Sequence, residues 1–155
     1  MIEDNLLNRA ISDFRLAKSI CTFIGEDDFF VNKAAYHLQQ AVELSIKFVF
    51  EQEGFQYPHV HNIDQLIRLA NENDVNLGIT EYIDEHADMF SAWESQTRYC
   101  IGFLVEARRI HAAVPEVETW LNNVKERYDQ SEQKEEYDLS DEIDISSEGS
   151  ELQLS

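Results

Sequence analysis

The chain has 155 residues, 43% of them hydrophobic, with nine Phe, six Tyr and two Trp but only five Gly and two Pro. That is enough apolar surface for one packed domain and too few turn residues for a sheet-rich one. The formal charge of −19, from 31 acidic against 12 basic side chains, argues against a broad nucleic-acid-binding surface and against a face for anionic membranes.

The first helix is expected from Asp4 to Ile24. Leu7, Ala10, Phe14, Ala17, Cys21 and Ile24 step by three and four, the spacing of one helical face. Gly25 ends it. Glu26-Asp27-Asp28 then puts negative charge at the start of the next helix, where the helix dipole favours it. That second helix should run from Phe29 to Glu53 and stop at Gly54. Its packing face is Ala34, Leu38, Ala41, Val42, Ser45, Phe48 and Val49, an arc of about 120°. A loop marked by Pro58 follows. Asn62 and Gln65 then resemble a capping box for a short third helix with Ile63, Leu66, Ile67 and Ala70 inward. Thr80 is a good N-cap for a fourth helix carrying Tyr82, Ile83, Ala87, Phe90 and Trp93. Tyr99 to Leu104 reads as extended chain or loop. The last helix spans Val105 to Tyr128, and Pro115 should kink or split it, because proline removes a donor and clashes with the preceding turn.

After Tyr128 the composition changes. Ser and Glu dominate residues 129–155, and the only base there is Lys134. Such a segment buries too little apolar area to offset its ordering entropy, so a disordered acidic tail is expected. The overall expectation is an all-α, up-and-down bundle of about five helices over residues 1–128, followed by that tail. Cys21 and Cys100 are too isolated for a disulfide framework, and Cys21 reads as a buried free thiol. No apolar run reaches the roughly 18 residues of a membrane helix. The start, Met1-Ile2-Glu3-Asp4-Asn5, lacks the basic and apolar regions of a signal peptide, so a cytoplasmic protein is expected.

Tyr36, Gln40, Glu43 and Lys47 form a polar stripe on the second helix, within about 60° of one another and roughly opposite its packing face. The bland reading is a solvated face, with Glu43 and Lys47 in an ion pair worth about 0.3–0.5 kcal/mol. The sharper reading is a stripe that meets a ligand or partner. His59 and His61 are too few for a metal centre, no HExxH is present, and His61 is expected to cap or orient the third helix. Arg98 suits a helix C-terminus or a phosphate, and Arg108 and Arg109 add local positive charge. There is no Gly-rich phosphate loop and no GxSxG elbow. No cofactor and no catalytic pair of acids can be singled out.

Ala35-Tyr36-His37-Leu38-Gln39-Gln40-Ala41-Val42-Glu43-Leu44-Ser45-Ile46-Lys47, then Gly54, then His61-Asn62-Ile63-Asp64-Gln65-Leu66, then Arg98-Tyr99, together resemble the HEPN family, the higher eukaryotes and prokaryotes nucleotide-binding domain. The resemblance covers residues 1–128 in helix order. It implies a compact, commonly dimeric bundle. Prokaryotic members pair with a minimal nucleotidyltransferase, others form the helical domain of aminoglycoside nucleotidyltransferases, and a toxin-like branch cleaves RNA. That branch uses an Arg followed by four to six residues and a His. No Arg here has a His at that spacing, and Leu44 replaces a Lys usual beside the Glu.

The leading expectation is therefore a non-catalytic subunit, in a toxin–antitoxin-like pair, that binds a nucleotidyltransferase, a nucleotide or both. Lys47, His61, Arg98 and Tyr99 would supply phosphate donors and a stacking ring, with Tyr36, Gln40 and Glu43 beside them. The alternatives are a ribonuclease toxin with a diverged site and a purely structural, antitoxin-like interaction protein. In the latter, the tail around Tyr137–Ile145 would cover a basic surface. A homodimer is also expected, since a small bundle rich in Phe can leave an apolar face uncovered.

Overall fold

A computed structural model describes the backbone of residues 2–148 and the side chains of residues 2–129. All regular structure among them is helical: α1 (Leu6–Cys21), a 3-10 turn (Ile24–Glu26), α2 (Phe30–Gln52), α3 (Ile63–Glu72), α4 (Glu81–Glu85), α5 (Ala87–Tyr99) and α6 (Ala107–Glu148). Of the expected tail, 129–155, only Asp129 has its side chain described, and residues 149–155 lie outside the description altogether. The chain divides into two compact units, Met1–Asn122 and Asn123–Ser155, and the fold and sites below belong to the first.

Local signals set the helix ends. Asn5 caps α1 by accepting from Asn8 N at 2.8 Å, and Asn62 caps α3 by accepting from Gln65 N at 3.1 Å. Thr80 caps α4 at 3.5 Å. Gly54 follows α2 with φ +84°, the left-handed conformation that favours glycine after a helix. The expected fourth helix is two helices. It divides at His86, whose ring stacks on Tyr82 with centroids 4.0 Å apart and whose Nδ1–H donates to the Tyr82 carbonyl at 2.8 Å. That bond holds His86 out of helical geometry, at φ −109° and ψ 19°.

Pro115 does not split the last helix. The carbonyl that loses its partner there belongs to His111, and both residues lie on the exposed side, where water can replace the missing donor. Cys21 is only partly buried. Ile20 takes the last buried position of α1, and burial pushes the Cys21 thiol above its ordinary value.

The core is built around α2. All seven residues of its expected packing face are buried, and α1 and α5 pack along it. Its opposite side is buried too, at Gln39, Glu43, Ile46, Lys47 and Phe50. A helix hydrophobic or covered all round is a central helix, and α2 is that element here. Trp120 of α6 reaches it through an indole N–H that donates to Ser45 Oγ at 2.7 Å, while Ser45 Oγ donates back to the Ala41 carbonyl at 2.7 Å. Among the described residues no helix is long and apolar enough to cross a membrane.

The Ser45–Trp120 bond is a specific source of stability. Ser45→Ala leaves a buried indole N–H without a partner, which should cost about 1–3 kcal/mol. A lower urea midpoint with an unchanged m-value is the expected result. An unchanged midpoint would show that the indole finds another acceptor.

Candidate functional site

The polar stripe of α2 is not a solvated face. Going from the start of α2 towards its end, it passes under the end of α5 and then under the loop that enters α3. The structure divides the seven candidate residues into two groups along this line.

The first group, Gln40, Glu43, Lys47 and His61, centres on two buried charges. Glu43 is 2% exposed and Lys47 5%. Glu43 accepts three hydrogen bonds: from Gln39 Nε2 at 2.9 Å, Lys47 Nζ at 2.9 Å and His61 Nδ1 at 2.8 Å. An ionised carboxylate only accepts, so the ring proton of His61 sits on Nδ1 and its Nε2 points outward from a side chain 65% exposed. Gln39 also donates to the His61 carbonyl at 3.3 Å and accepts from Gln40 Nε2 at 2.8 Å. The ammonium of Lys47 lies 5.3 Å from the centroid of the Tyr57 ring. His61 thus ties its loop to α2 through Glu43, and the capping of α3 expected of it falls to Asn62. Ser91 of α5 adds to that end, accepting from Ile63 N at 2.9 Å and donating to Asp64 Oδ1 at 2.6 Å.

Burying two charges costs several kcal/mol for each ion, and only good geometry with full hydrogen bonding offsets it. Here Oε1 of Glu43 accepts one hydrogen bond and Oε2 accepts two. The arrangement therefore fixes structure. Lys47 is spent on Glu43 and does not form a basic patch with Arg98.

The second group is Tyr36, Arg98 and Tyr99, and it opens to solvent. The Arg98 guanidinium lies between two rings, 4.9 Å from the Tyr36 centroid and 4.8 Å from that of Tyr99. Its Nη2 donates to both oxygens of Glu94 at 2.9 Å, and its Nε donates to the Glu94 carbonyl at 2.9 Å. Burial works against its charge, but Tyr36, Glu94 and Tyr99 outweigh this and hold it above its ordinary pKa. Nη1 makes no hydrogen bond among the described residues. Tyr36 and Arg98 line a cleft of about 480 Å³ between α2 and α5, with Phe29, Lys33 and His37 also on its walls, while Tyr99 lines a neighbouring groove that shares Arg98.

Lys33, His37 and Asp13 are not among the residues singled out from sequence. Lys33 is exposed on the cleft wall and makes no ion pair among the described residues. His37 Nδ1 sits 2.8 Å from Asp13 Oδ1 on α1. Lys33, Tyr36 and His37 are one turn apart on α2, a spacing that was there to be used. Asp13 gave no signal, because its partner is 24 residues away.

The remaining candidates fall elsewhere. Arg108 and Arg109 both bind Glu106, and these bonds hold its carboxyl below its ordinary value. His59 meets the Tyr57 ring edge-on at 5.6 Å. Among the described residues no group of three or more His, Cys, Asp or Glu is placed to hold a metal. What the cleft offers is a guanidinium held by Glu94, an exposed ammonium at Lys33 and an exposed ring at Phe29. Together these can bind a phosphate and stack a planar ring.

A family model described as HEPN domain matches residues 4–127. No curated protein and no solved structure matches the chain.

The buried group makes its own prediction. Lys47→Met leaves the Glu43 carboxylate buried without its cation and should cost about 3–5 kcal/mol. Adding Glu43→Gln removes the charge and should return most of that loss. Chemical denaturation of the single and double variants measures both. A double variant no more stable than Lys47→Met alone would show that packing, and not the ion pair, carries the effect.

Proposed function

Because the chain belongs to the HEPN domain family, we propose that it is a non-catalytic binding subunit that holds a nucleotide in the cleft between α2 and α5 and works with a small nucleotidyltransferase. The observation that carries the ligand half is the state of Arg98. Glu94 and two tyrosine rings fix its plane, and its Nη1 makes no hydrogen bond among the described residues, on the wall of a cleft that Lys33 also lines. Pre-organised donors bind anions without losing much side-chain freedom. The phosphates take the Arg98 and Lys33 corner. The base stacks on Phe29, which is 63% exposed, or on the outer face of Tyr99. Gln40, Glu43, Lys47 and His61 do not touch the ligand in this reading. They hold α2, from which Tyr36 and His37 reach the cleft, against the entry to α3.

Calorimetry with ATP and other nucleoside phosphates tests it. Arg98→Ala should weaken binding about 10- to 100-fold, since a hydrogen bond to a charged group contributes about 1.5–3 kcal/mol. Lys33→Ala should weaken it less. Absence of heat with every nucleotide would overturn the ligand half. The partner half is tested by co-expressing the tagged chain with the neighbouring reading frames. Copurification of a small nucleotidyltransferase supports it, and a failure of any such enzyme to copurify counts against it.

One observation favours a second reading, a ribonuclease with a diverged site. His37 carries Asp13 behind it and lines the same cleft as Arg98, so an acid–base group and an anion donor meet in space although no sequence motif joins them. Incubation with total RNA decides between the readings. Cleavage by the wild type, lost in both His37→Ala and Arg98→Ala, would replace the non-catalytic reading; intact RNA would leave it standing.

A further inference from the structure

A second cavity, of about 420 Å³, lies at the other end of α2 and shares no residue with the cleft. Phe50 of α2, the loop from Phe55 to His59, and Leu69 and Asn73 at the end of α3 line it. That volume is in the range of small-molecule sites.

Local chemistry holds its walls in place. Gly54, at φ +84°, reverses the chain after α2, and Phe55 N then donates to the Phe50 carbonyl at 2.9 Å. Phe55 is thereby brought back to the turn it has just left, with 42% of its surface still in water. The Tyr57 ring has the Lys47 ammonium 5.3 Å from its centroid and the His59 ring edge-on at 5.6 Å. Pro58 fixes its own φ and restricts the backbone of Tyr57 before it. Lys47 is bonded to Glu43 at 2.9 Å, so the buried network also steadies this aromatic wall. Little ordering is left for a ligand to impose.

The polar groups on the lining select the occupant. The Gln56 amide and the Tyr57 hydroxyl make no hydrogen bond among the described residues. Asn73 Nδ2 donates back to the Leu69 carbonyl at 2.8 Å, which leaves its Oδ1 as an acceptor. No Asp, Glu, Lys or Arg lines the cavity. An ion entering it would lose water without gaining a counter-charge. Anions are repelled besides by a chain of net charge −19, and a cation would meet the Lys47 ammonium already beside the Tyr57 ring. What remains is a flat, uncharged molecule with an edge that both donates and accepts. We propose that this cavity is a binding site for a neutral planar aromatic carboxamide, its ring stacked on Phe55 or Tyr57 and its amide paired with Gln56 and Asn73. The inference is independent of what the cleft between α2 and α5 binds.

Nicotinamide is the probe, and nicotinate, the same ring carrying a carboxylate, is its charged counterpart. Titrating the ¹⁵N-labelled full chain with nicotinamide should shift the amide signals of residues 54–59 and 69–73. Phe55→Ala, which removes a partly exposed ring outside any helix, should fold normally by circular dichroism and weaken binding about 5-fold or more, the loss expected for one stacking partner. Gln56→Ala should weaken it about 2- to 10-fold, the worth of one neutral hydrogen bond. Nicotinate should bind at least about 10-fold more weakly than nicotinamide, and Arg98→Ala should leave nicotinamide binding unchanged. Four results overturn the proposal: no shift up to tens of millimolar nicotinamide, shifts confined to the start of α2 and the end of α5, nicotinate binding as tightly as nicotinamide, or a folded Phe55→Ala variant that binds as the wild type does.

Discussion

Everything described above is arranged around one carboxylate. Glu43 lies inside α2, and α2 is the helix on which α1, α3 and α5 pack. A charge in that position must be met on every side or it unfolds the core that surrounds it. It is met by its own helix, through Gln39 and Lys47, and by the chain after α2, through His61. The third bond matters most for topology. It fixes where the chain re-enters the bundle after the loop at Pro58, and so where Asn62 and Ser91 can place the start of α3. The carboxylate therefore acts as a registry device: it stabilises the fold little in net terms, but it specifies one arrangement of the loop.

The same helix separates structure from ligand chemistry by depth. At Glu43 and Lys47 the polar line is covered on all sides, and its charges are satisfied internally. At Tyr36 and Lys33, about two to four turns earlier, α5 ends and the cover stops. A single stripe of polar residues thus becomes a buried network at one end and an open cleft at the other. The HEPN domain family match spans both ends, so membership alone does not distinguish the two roles. Burial distinguishes them.

Sequence reasoning reached the helices because their signals are local. Caps at Asn62 and Thr80, the stop at Gly54 and the spacing of three and four on α1 and α2 all act within a few residues. It also found the polar stripe. What it misjudged was the environment of that stripe, because an apolar face is visible along a helix and a second covering layer is not. Angle alone placed Glu43 and Lys47 opposite the core; the α3 entry loop and α5 bring the core to them. The partners that matter for the cleft are equally non-local. Asp13 meets His37 from another helix, and Asn32 reaches a carbonyl 71 residues away. Pro115 shows a local rule meeting its surroundings: of the kink or split it forecast, the split does not occur, because solvent makes the missing bond inexpensive.

Asn32 also bears on how this protein can change over generations. Surface loops usually accept insertions and deletions freely. The segment after α5 is different, because one amide grips the backbone at Phe103 and at Val105, on either side of Leu104. Adding or removing a residue there would put the wrong group before the amide and release both bonds. Length in this loop is therefore frozen by a side chain on another helix, while the identity at position 101, fully exposed, is not fixed by packing. Drift can rewrite what the loop shows to solvent without moving the place where it shows it.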